Sequence, residues 1–226
     1  MKPDYLNGTD LLIEQPENMY HFNSDTELLG RFLRLKKSDD VLDIGTAAGA
    51  LLLYASTMNP RSLTGIDLFD EVVETARKNC EMNHICADIE KFRLQDYPGN
   101  KRFTAILCNP PYFQTENKEL ISKDPIKAAA RHEINLPSDD LFSNVRRLLK
   151  DNGTFYLVHR ASRLMEILRT AEKYDMYAYR MRLAYQSQNK EGKSVLLAFS
   201  FSKQRELKVE APVFLDQHDT FGGERR

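Results

Sequence analysis

The tetrapeptide Asn109-Pro110-Pro111-Tyr112 has the residue types needed for chemistry on a flat, nitrogen-bearing group. It follows the apolar run 103–108, which predicts a loop at the end of a buried strand. The two prolines fix their φ angles and lack an N–H, so the loop is stiff and rich in hydrogen-bond acceptors. An ordinary proline-stiffened turn after a strand is the alternative interpretation.

This loop suits an exocyclic amine such as that of adenine, whose lone pair is delocalised into the ring. Two acceptors that hold both amine hydrogens would turn the lone pair outward, towards a methyl donor. The side-chain carbonyl of Asn109 and the backbone carbonyl of Pro110 are the candidate acceptors, and Tyr112 would stack on the ring. We interpret His132, beside Arg131, as a surface or capping residue and leave it out of this catalytic set.

A second pattern, the segment 43–49 (DIGTAAG), lies between the first predicted strand and helix, where an open α/β sheet leaves a ligand crevice. Its glycines allow close backbone approach, and Asp43 favours a cation over a pyrophosphate. Asp67 follows the next strand, where a carboxylate would accept ribose hydroxyls, and Asp96 follows the third, where it would accept from an exocyclic amine. Each aspartate alone is more often a turn or capping residue, but together they favour S-adenosylmethionine.

Strand-like and helix-like segments alternate from about residue 39 to 175, which is typical of βαβ units. The predicted fold is therefore α/β, with a Rossmann-like, doubly wound, seven-stranded sheet that is mostly parallel and ends in a C-terminal antiparallel hairpin. A small hairpin around 16–18 and a helix opened by the capping box 24–27 precede the sheet. The predicted strands are 41–44, 62–67, 92–94, 103–108, 153–159, 177–186 and 194–201, and the predicted helices are 50–58, 71–83, 124–131, 137–150 and 162–173. We divide the chain into an N-terminal appendage (1–38), a main domain (39–210) and a tail (211–226).

Length and composition predict a soluble cytoplasmic protein. The 226 residues suffice for one domain, and neither a membrane span nor a secretory segment is apparent. Cys80, Cys86 and Cys108 have no C-x-x-C spacing, so we expect small core residues and neither a disulfide framework nor a metal site.

The formal net charge of −1 is unevenly distributed, with −5 over residues 1–159 and +4 over residues 160–226. A nucleic-acid partner would therefore bind a local patch. A solvated surface explains the same charges equally well. The candidate phosphate-binding residues are Lys118, Lys123, Lys127, Arg131, Arg180, Arg182, Lys203, Arg205 and Lys208.

Residues from about 10 to 210 resemble the class I S-adenosylmethionine-dependent methyltransferases. More narrowly, they resemble the tRNA adenine-N6 methyltransferases that modify a valine tRNA beside the anticodon. The segments that carry the resemblance are 22–25 (FNSD) with Leu28-Leu29, 41–49, Asp67, 76–79 (ARKN), 109–113 (NPPYF) and 130–133 (ARHE).

The resemblance implies S-adenosylmethionine as cofactor, tRNA as nucleic-acid partner and no metal. Asn109, Pro110 and Tyr112 would act on the target base. The cofactor-binding residues would be Phe22, Asp43, Gly45, Thr46, Ala47, Gly49, Asp67, Leu68, Asp96 and Asn109.

The Asn-Pro-Pro-Tyr motif indicates methylation of an amino or amide nitrogen. It does not distinguish well between three substrates: adenine in RNA, adenine in DNA and glutamine in a protein. The sequence lacks a long helical N-terminal domain, which disfavours the glutamine-modifying relatives, and it has no obvious additional domain for reading duplex DNA. A cofactor-binding scaffold that has lost catalysis is an alternative from a different class.

Overall fold

The computed structural model describes residues 3–16, 23–99, 102–110 and 136–216. The chain begins with a small antiparallel hairpin of β1 (Asp4–Tyr5) and β2 (Leu12–Ile13), followed by α1 (Ser24–Phe32). The second half of the hairpin that we predicted around 16–18 lies outside the described residues, and the structure shows β2 paired with β1. No helix within the described ranges is long and apolar enough to span a bilayer.

A mixed sheet forms the centre of the protein, with the strand order β10-β8-β9-β7-β6-β3-β4-β5 and β11 also paired with β8. Only β9 runs antiparallel to its neighbours, β7 and β8. The strands are β3 (Asp40–Ile44), β4 (Ser62–Asp67), β5 (Asp88–Lys91), β6 (Phe103–Cys108), β7 (Leu149–Arg160), β8 (Tyr177–Tyr185), β9 (Gly192–Ser200), β10 (Lys208–Val209) and β11 (Val213–Phe214). The predicted α/β class, the mostly parallel order and the C-terminal antiparallel hairpin are confirmed. The sheet has nine strands within the described residues and not the predicted seven, because the short strands β10 and β11 also pair with β8. The short strand β11 lies in the segment that the sequence assigns to the tail.

Helices cover both faces of the sheet. They are α2 (Ala50–Ser56), α3 (Asp70–Met82), α4 (Ser138–Leu148) and α5 (Leu164–Lys173). Along β6, Ala105 and Leu107 pack with the core of α1, α2 and α3, whereas Ile106 and Cys108 pack with the core of α4 and α5. This burial on both sides explains why β6 is a continuous apolar run in the sequence.

Several element boundaries differ from the predictions. The third parallel strand is Asp88–Lys91, not 92–94, because only Ile89 of this edge strand is buried and it gives little apolar signal. The apolar residues that follow it, Leu94 and Tyr97, instead pack into the core from a 3-10 turn. The strand that we predicted to begin at residue 153 begins at Leu149, directly after α4.

The helix cap and one cysteine also differ. Asn23, not Ser24, caps α1, because its side-chain oxygen accepts from the backbone N–H groups of Asp25 and Thr26. Cys80 and Cys108 are buried as expected, whereas Cys86 is exposed in the turn between α3 and β5. The predicted helix 124–131 lies outside the described residues.

Candidate active site at the carboxyl edge of the sheet

Strand register brings the two motifs of the sequence to one place. Ile44 of β3 pairs with Cys108 of β6, so Gly45 and Asn109 are the first residues beyond two adjacent parallel strands. Neighbouring strands lie about 5 Å apart, so the glycine turn and the Asn-Pro segment share one edge of the sheet. On the other side of β3, Ile44 pairs with Ile66, which places Asp67 at the same edge.

The turn after β3 exposes its backbone to an open space. Gly45 and Gly49 have φ angles of +69° and +83°, the left-handed region that favours glycine, and Ala47 adopts +48°. A β-carbon built on Gly45 would meet no atom within 4 Å apart from those of Gly45 and its two chain neighbours, among the described residues. A ligand can therefore approach the backbone closely at Gly45.

Asp43 is a fully buried carboxylate beneath this turn, with an exposed fraction of 0%. Its Oδ2 accepts a hydrogen bond of 2.8 Å from the Thr46 hydroxyl, whereas its Oδ1 has no partner among the described residues. Burial raises the pKa of Asp43 to about 7, because the Thr46 hydrogen bond only partly offsets the desolvation of the charge and nearby Asp67 adds repulsion. A cationic donor would satisfy the orphan oxygen, which fits the amino group of S-adenosylmethionine.

Asp67 is half-buried at the end of β4. Its Oδ2 accepts from the Ala47 N–H at 3.0 Å and its Oδ1 accepts from the Leu68 N–H at 2.7 Å. Burial raises its pKa, although these N–H groups stabilise the charged form. The Phe69 N–H also stabilises the carboxylate. A carboxylate has about four lone-pair sites, so Asp67 keeps acceptor capacity for a ribose hydroxyl.

Asp96 does not occupy the strand end that the sequence predicts. Because β5 ends at Lys91, Asp96 lies in the 3-10 turn 94–96, and its side chain is exposed. Phe22 and Tyr112 lie outside the described residues.

Asn109 is half-buried, and its side chain is hydrogen-bonded to helix α1. Its Nδ2 donates a hydrogen bond of 2.9 Å to the hydroxyl of Thr26, and Pro110 beside it is buried. Because the two ends of an amide point in different directions, this bond directs Oδ1 away from Thr26. Thr26 carries no signal in the sequence for this role, because it lies 83 residues from Asn109 and reads only as part of the helix start.

The first turn of α1 is bound to the same edge by three consecutive side chains. Ser24 accepts from Lys193 Nζ at 2.8 Å, and Asp25 accepts from the Ser194 hydroxyl at 2.6 Å. Thr26 follows with its bond to Asn109. This turn therefore connects the start of β9 to the loop after β6.

Asn79 of α3 connects the glycine turn to the N-terminal segment. Its buried Nδ2 donates to the carbonyl groups of Ala48 at 2.8 Å and Glu14 at 2.9 Å, and its Oδ1 accepts from the Glu14 N–H. Asn83, one helical turn later, binds the backbone of Leu12 in the same way. The chain leading towards residues 17–22 is thus fixed to the helix that borders the turn.

Part of the predicted phosphate-binding track is wrong. Arg180 and Arg182 both pair with Glu210, and Arg180 is buried over the ring of Phe32. Lys203 and Arg205 follow the end of antiparallel β9, so they lie at the sheet edge opposite Asn109. Lys118, Lys123, Lys127 and Arg131 lie outside the described residues.

Comparison with known proteins agrees with this arrangement. The family model described as methyltransferase small domain matches residues 19–174. The tRNA1(Val) (adenine(37)-N6)-methyltransferase of Shewanella woodyi is 29% identical over 163 residues, which cover 69% of this chain and 66% of that protein. The protein of the same name from Phocaeicola vulgatus is 30% identical over 199 residues, covering 86% of this chain and 83% of that protein.

A solved structure supports the same fold. The tRNA (uracil-54, C5)-methyltransferase of Pyrococcus abyssi, in complex with S-adenosyl-L-homocysteine, aligns with a TM-score of 0.60 at 17% identity. The alignment covers 88% of this chain and 44% of that one.

Proposed function

Because the chain belongs to the methyltransferase small domain family, we propose that it methylates the N6 amine of an adenosine in tRNA, with S-adenosylmethionine as the methyl donor. The activity in the names of its relatives supports the substrate. The observation that carries the proposal is the position of Asn109, one strand from the open turn at Gly45 and on the same edge.

The residues around the turn would hold the cofactor. Asp43 Oδ1 would accept from its amino group, and Asp67 would accept from a ribose hydroxyl through its remaining acceptor capacity. When bound, S-adenosylmethionine supplies an electrophilic methyl group. The further residues assigned to this site are Phe22, Gly45, Thr46, Ala47, Gly49, Leu68, Asp96 and Asn109.

The loop after β6 would orient the target amine. Asn109 Oδ1 and the carbonyl of Pro110 would accept its two hydrogens, and Tyr112 would stack on the base. The amine proton becomes acidic only as the new N–C bond forms, so water can remove it and no strong side-chain base is required. Catalysis would come mainly from orientation.

Incubation with labelled cofactor and unmodified total tRNA, followed by nucleoside analysis, tests the activity. We expect N6-methyladenosine from the wild type and a kcat about 100-fold lower for Asn109→Ala, as for the loss of one positioned polar group in other active sites. Asn152→Ala is the matched control, because Asn152 is exposed near the start of β7, at the opposite edge.

Near wild-type activity of Asn109→Ala would reject the assigned mechanism. Methylation confined to DNA or to a glutamine-containing protein would reject the tRNA substrate. Cofactor binding without transfer to tRNA, DNA or protein would identify a scaffold that has lost catalysis.

A further inference from the structure

The sheet edge that carries Asn109 continues through the ends of β7 and β8 and the start of β9. β7 lies next to β6 with Cys108 opposite Leu157, and Arg160 at the end of β7 pairs with Ser194 of β9. Tyr185 at the end of β8 pairs with Gly192. We call residues 158–163 and 186–194 the β7–β9 surface.

The β7–β9 surface is basic. It contains four basic side chains, all exposed, and one acidic side chain, Glu191. Glu166, just beyond it, pairs with Arg163, which leaves a net charge of +2. His159 adds no charge at neutral pH, because burial and the nearby Arg163 lower its pKa to about 4. The basic residues are Arg160, Arg163, Lys190 and Lys193.

The other half of the same edge is acidic. Beyond β4 and β5, residues 67–71 and 91–96 carry four acidic and two basic side chains. This is the half that we assign to a cationic cofactor. The edge is therefore negatively charged on the side of β4 and β5 and positively charged on the side of β7 and β9, with β3 and β6 between them.

The β7–β9 surface also offers polar groups and a concave space. Residues 186–189 (QSQN) present amides and a hydroxyl in the turn between β8 and β9. Beside them lies a cavity of about 660 Å³ lined by Gln186, Lys193, Ser24 and Arg31, among others. Such donors and acceptors suit sugar hydroxyls, phosphate oxygens and the edges of unstacked bases.

We propose that the β7–β9 surface binds the phosphate backbone of the substrate RNA on one side of the target adenosine, a proposal that rests on the function proposed above. A strand whose base reaches Asn109 must cross one half of the edge. The acidic half repels its phosphates, whereas the basic half attracts them. β7 and β9 lie one and two strands from β6, about 5 and 10 Å away, so nucleotides flanking the target meet these side chains first.

Charge reversal tests the surface. We expect Arg160→Glu combined with Lys190→Glu to raise the Kd for unmodified total tRNA at least about tenfold at about 0.1 M salt. The slope of log K against log salt should fall by about 1.4, the value for two lost phosphate contacts to a single strand. The Kd for S-adenosylmethionine should stay within about twofold, because neither side chain belongs to the cofactor half.

The matched control is Lys36→Glu combined with Lys37→Glu. These lysines are exposed just before β3, at the opposite edge, and the change in net charge is identical. The control should bind tRNA as the wild type does. Equal losses in both double variants, or no loss in Arg160→Glu with Lys190→Glu, would overturn the proposal.

Binding and methylation are measured separately, so the two proposals fail in different ways. If the wild type binds tRNA through this surface but forms no N6-methyladenosine, the proposed surface stands and the proposed function is rejected. Wild-type methylation and binding by the Arg160→Glu, Lys190→Glu variant would retain the function and reject the surface. A wild type that binds duplex DNA in preference to tRNA, or no nucleic acid, would reject the surface.

Discussion

One hydrogen bond from the Asn109 side-chain amide to the Thr26 hydroxyl sets the orientation of that amide. Thr26 is buried, with an exposed fraction of 5%, and its hydroxyl accepts from Nδ2. Without it, the amide can rotate and present its N–H₂ group where an acceptor is needed. We therefore regard Thr26 as a positioning residue.

Thr26→Val should lower kcat about tenfold, the effect of losing about 1.4 kcal/mol of orientation in the transition state. The KM for the cofactor should stay nearly constant. Thr26→Ser keeps the hydroxyl and should restore most of kcat, whereas a purely structural role would make the serine variant no better than valine. Steady-state kinetics with labelled cofactor and tRNA provide both constants.

The raised pKa of Asp43 predicts a pH-dependent affinity for a cationic cofactor. Burial raises this pKa from 3.8 to about 7, and only the ionised form attracts an amino group. The affinity for S-adenosylmethionine should therefore rise with pH between about 6 and about 8. Calorimetry should find this dependence in the wild type and in Asp151→Asn, an exposed carboxylate at the opposite edge, but not in Asp43→Asn.

The same shift has the opposite effect on the stability of the ligand-free protein. Because the folded-state pKa is raised, the protonated form stabilises the fold, fully below about pH 4, and this contribution is lost as the pH rises through about 7. Asp43→Asn should remove that part of the decline in the free energy of unfolding. A decline that is unchanged in Asp43→Asn would contradict the assignment.

At the residue level, the sequence predicted that Asp43, Gly45, Asp67 and Asn109 lie at one edge of the sheet, because each lies within one residue of the end of a strongly apolar strand. Strand ends in a parallel sheet meet at one edge, so their proximity follows from topology. Thr26 has no such signal, because its contact depends on how α1 packs across the sheet.

At the level of elements, α3 connects the glycine turn with the N-terminal segment through Asn79. Its amide satisfies two carbonyl groups and one N–H group of other segments, with an exposed fraction of 0%. Removing it leaves these backbone groups without this partner, and the carbonyl of Ala48 belongs to a buried bond. The packing of β2 against α3 depends on this amide and on that of Asn83.

Asn79→Ala should lower the free energy of unfolding by about 3 kcal/mol, as expected when several buried hydrogen bonds are lost. Urea denaturation gives this value directly. The adjacent Lys78→Ala is the control, because Lys78 is exposed on the same helix and should change stability by less than about 0.5 kcal/mol. Equal stabilities of the two variants would show that the Asn79 hydrogen bonds do not stabilise the fold.

Elements with a clear apolar period were predictable, and those without one were not. The central strands β3, β4 and β6 agree with the sequence to within one or two residues, because they are buried on both faces. β5 is polar on an outer position of the sheet, so the apolar residues after it were taken for the strand. β1 pairs through only two exposed residues, which leave no pattern in the sequence.

Across the whole molecule, the excess of positive charge after residue 160 can be counted from the sequence, but its location on the fold cannot. Arg180 and Arg182 looked available for phosphate, yet Glu210, 30 and 28 residues later, pairs with both. These ion pairs fasten the C-terminal segment beside β8, where β10 and β11 extend the sheet. Which basic residues face the RNA side depends on strand direction, because antiparallel β9 carries Lys193 and Lys203 to opposite edges.

The three cysteine thiols lie in unequal environments, so a maleimide reagent should label one of them selectively. Burial raises the pKa of Cys80 to about 11 and raises that of Cys108 as well, so both are poor nucleophiles at neutral pH. Cys86 is exposed between α3 and β5, at the sheet edge opposite Gly45 and Asn109. A fluorophore attached there needs no engineered cysteine, and it would leave the edge that carries Gly45 and Asn109 unmodified.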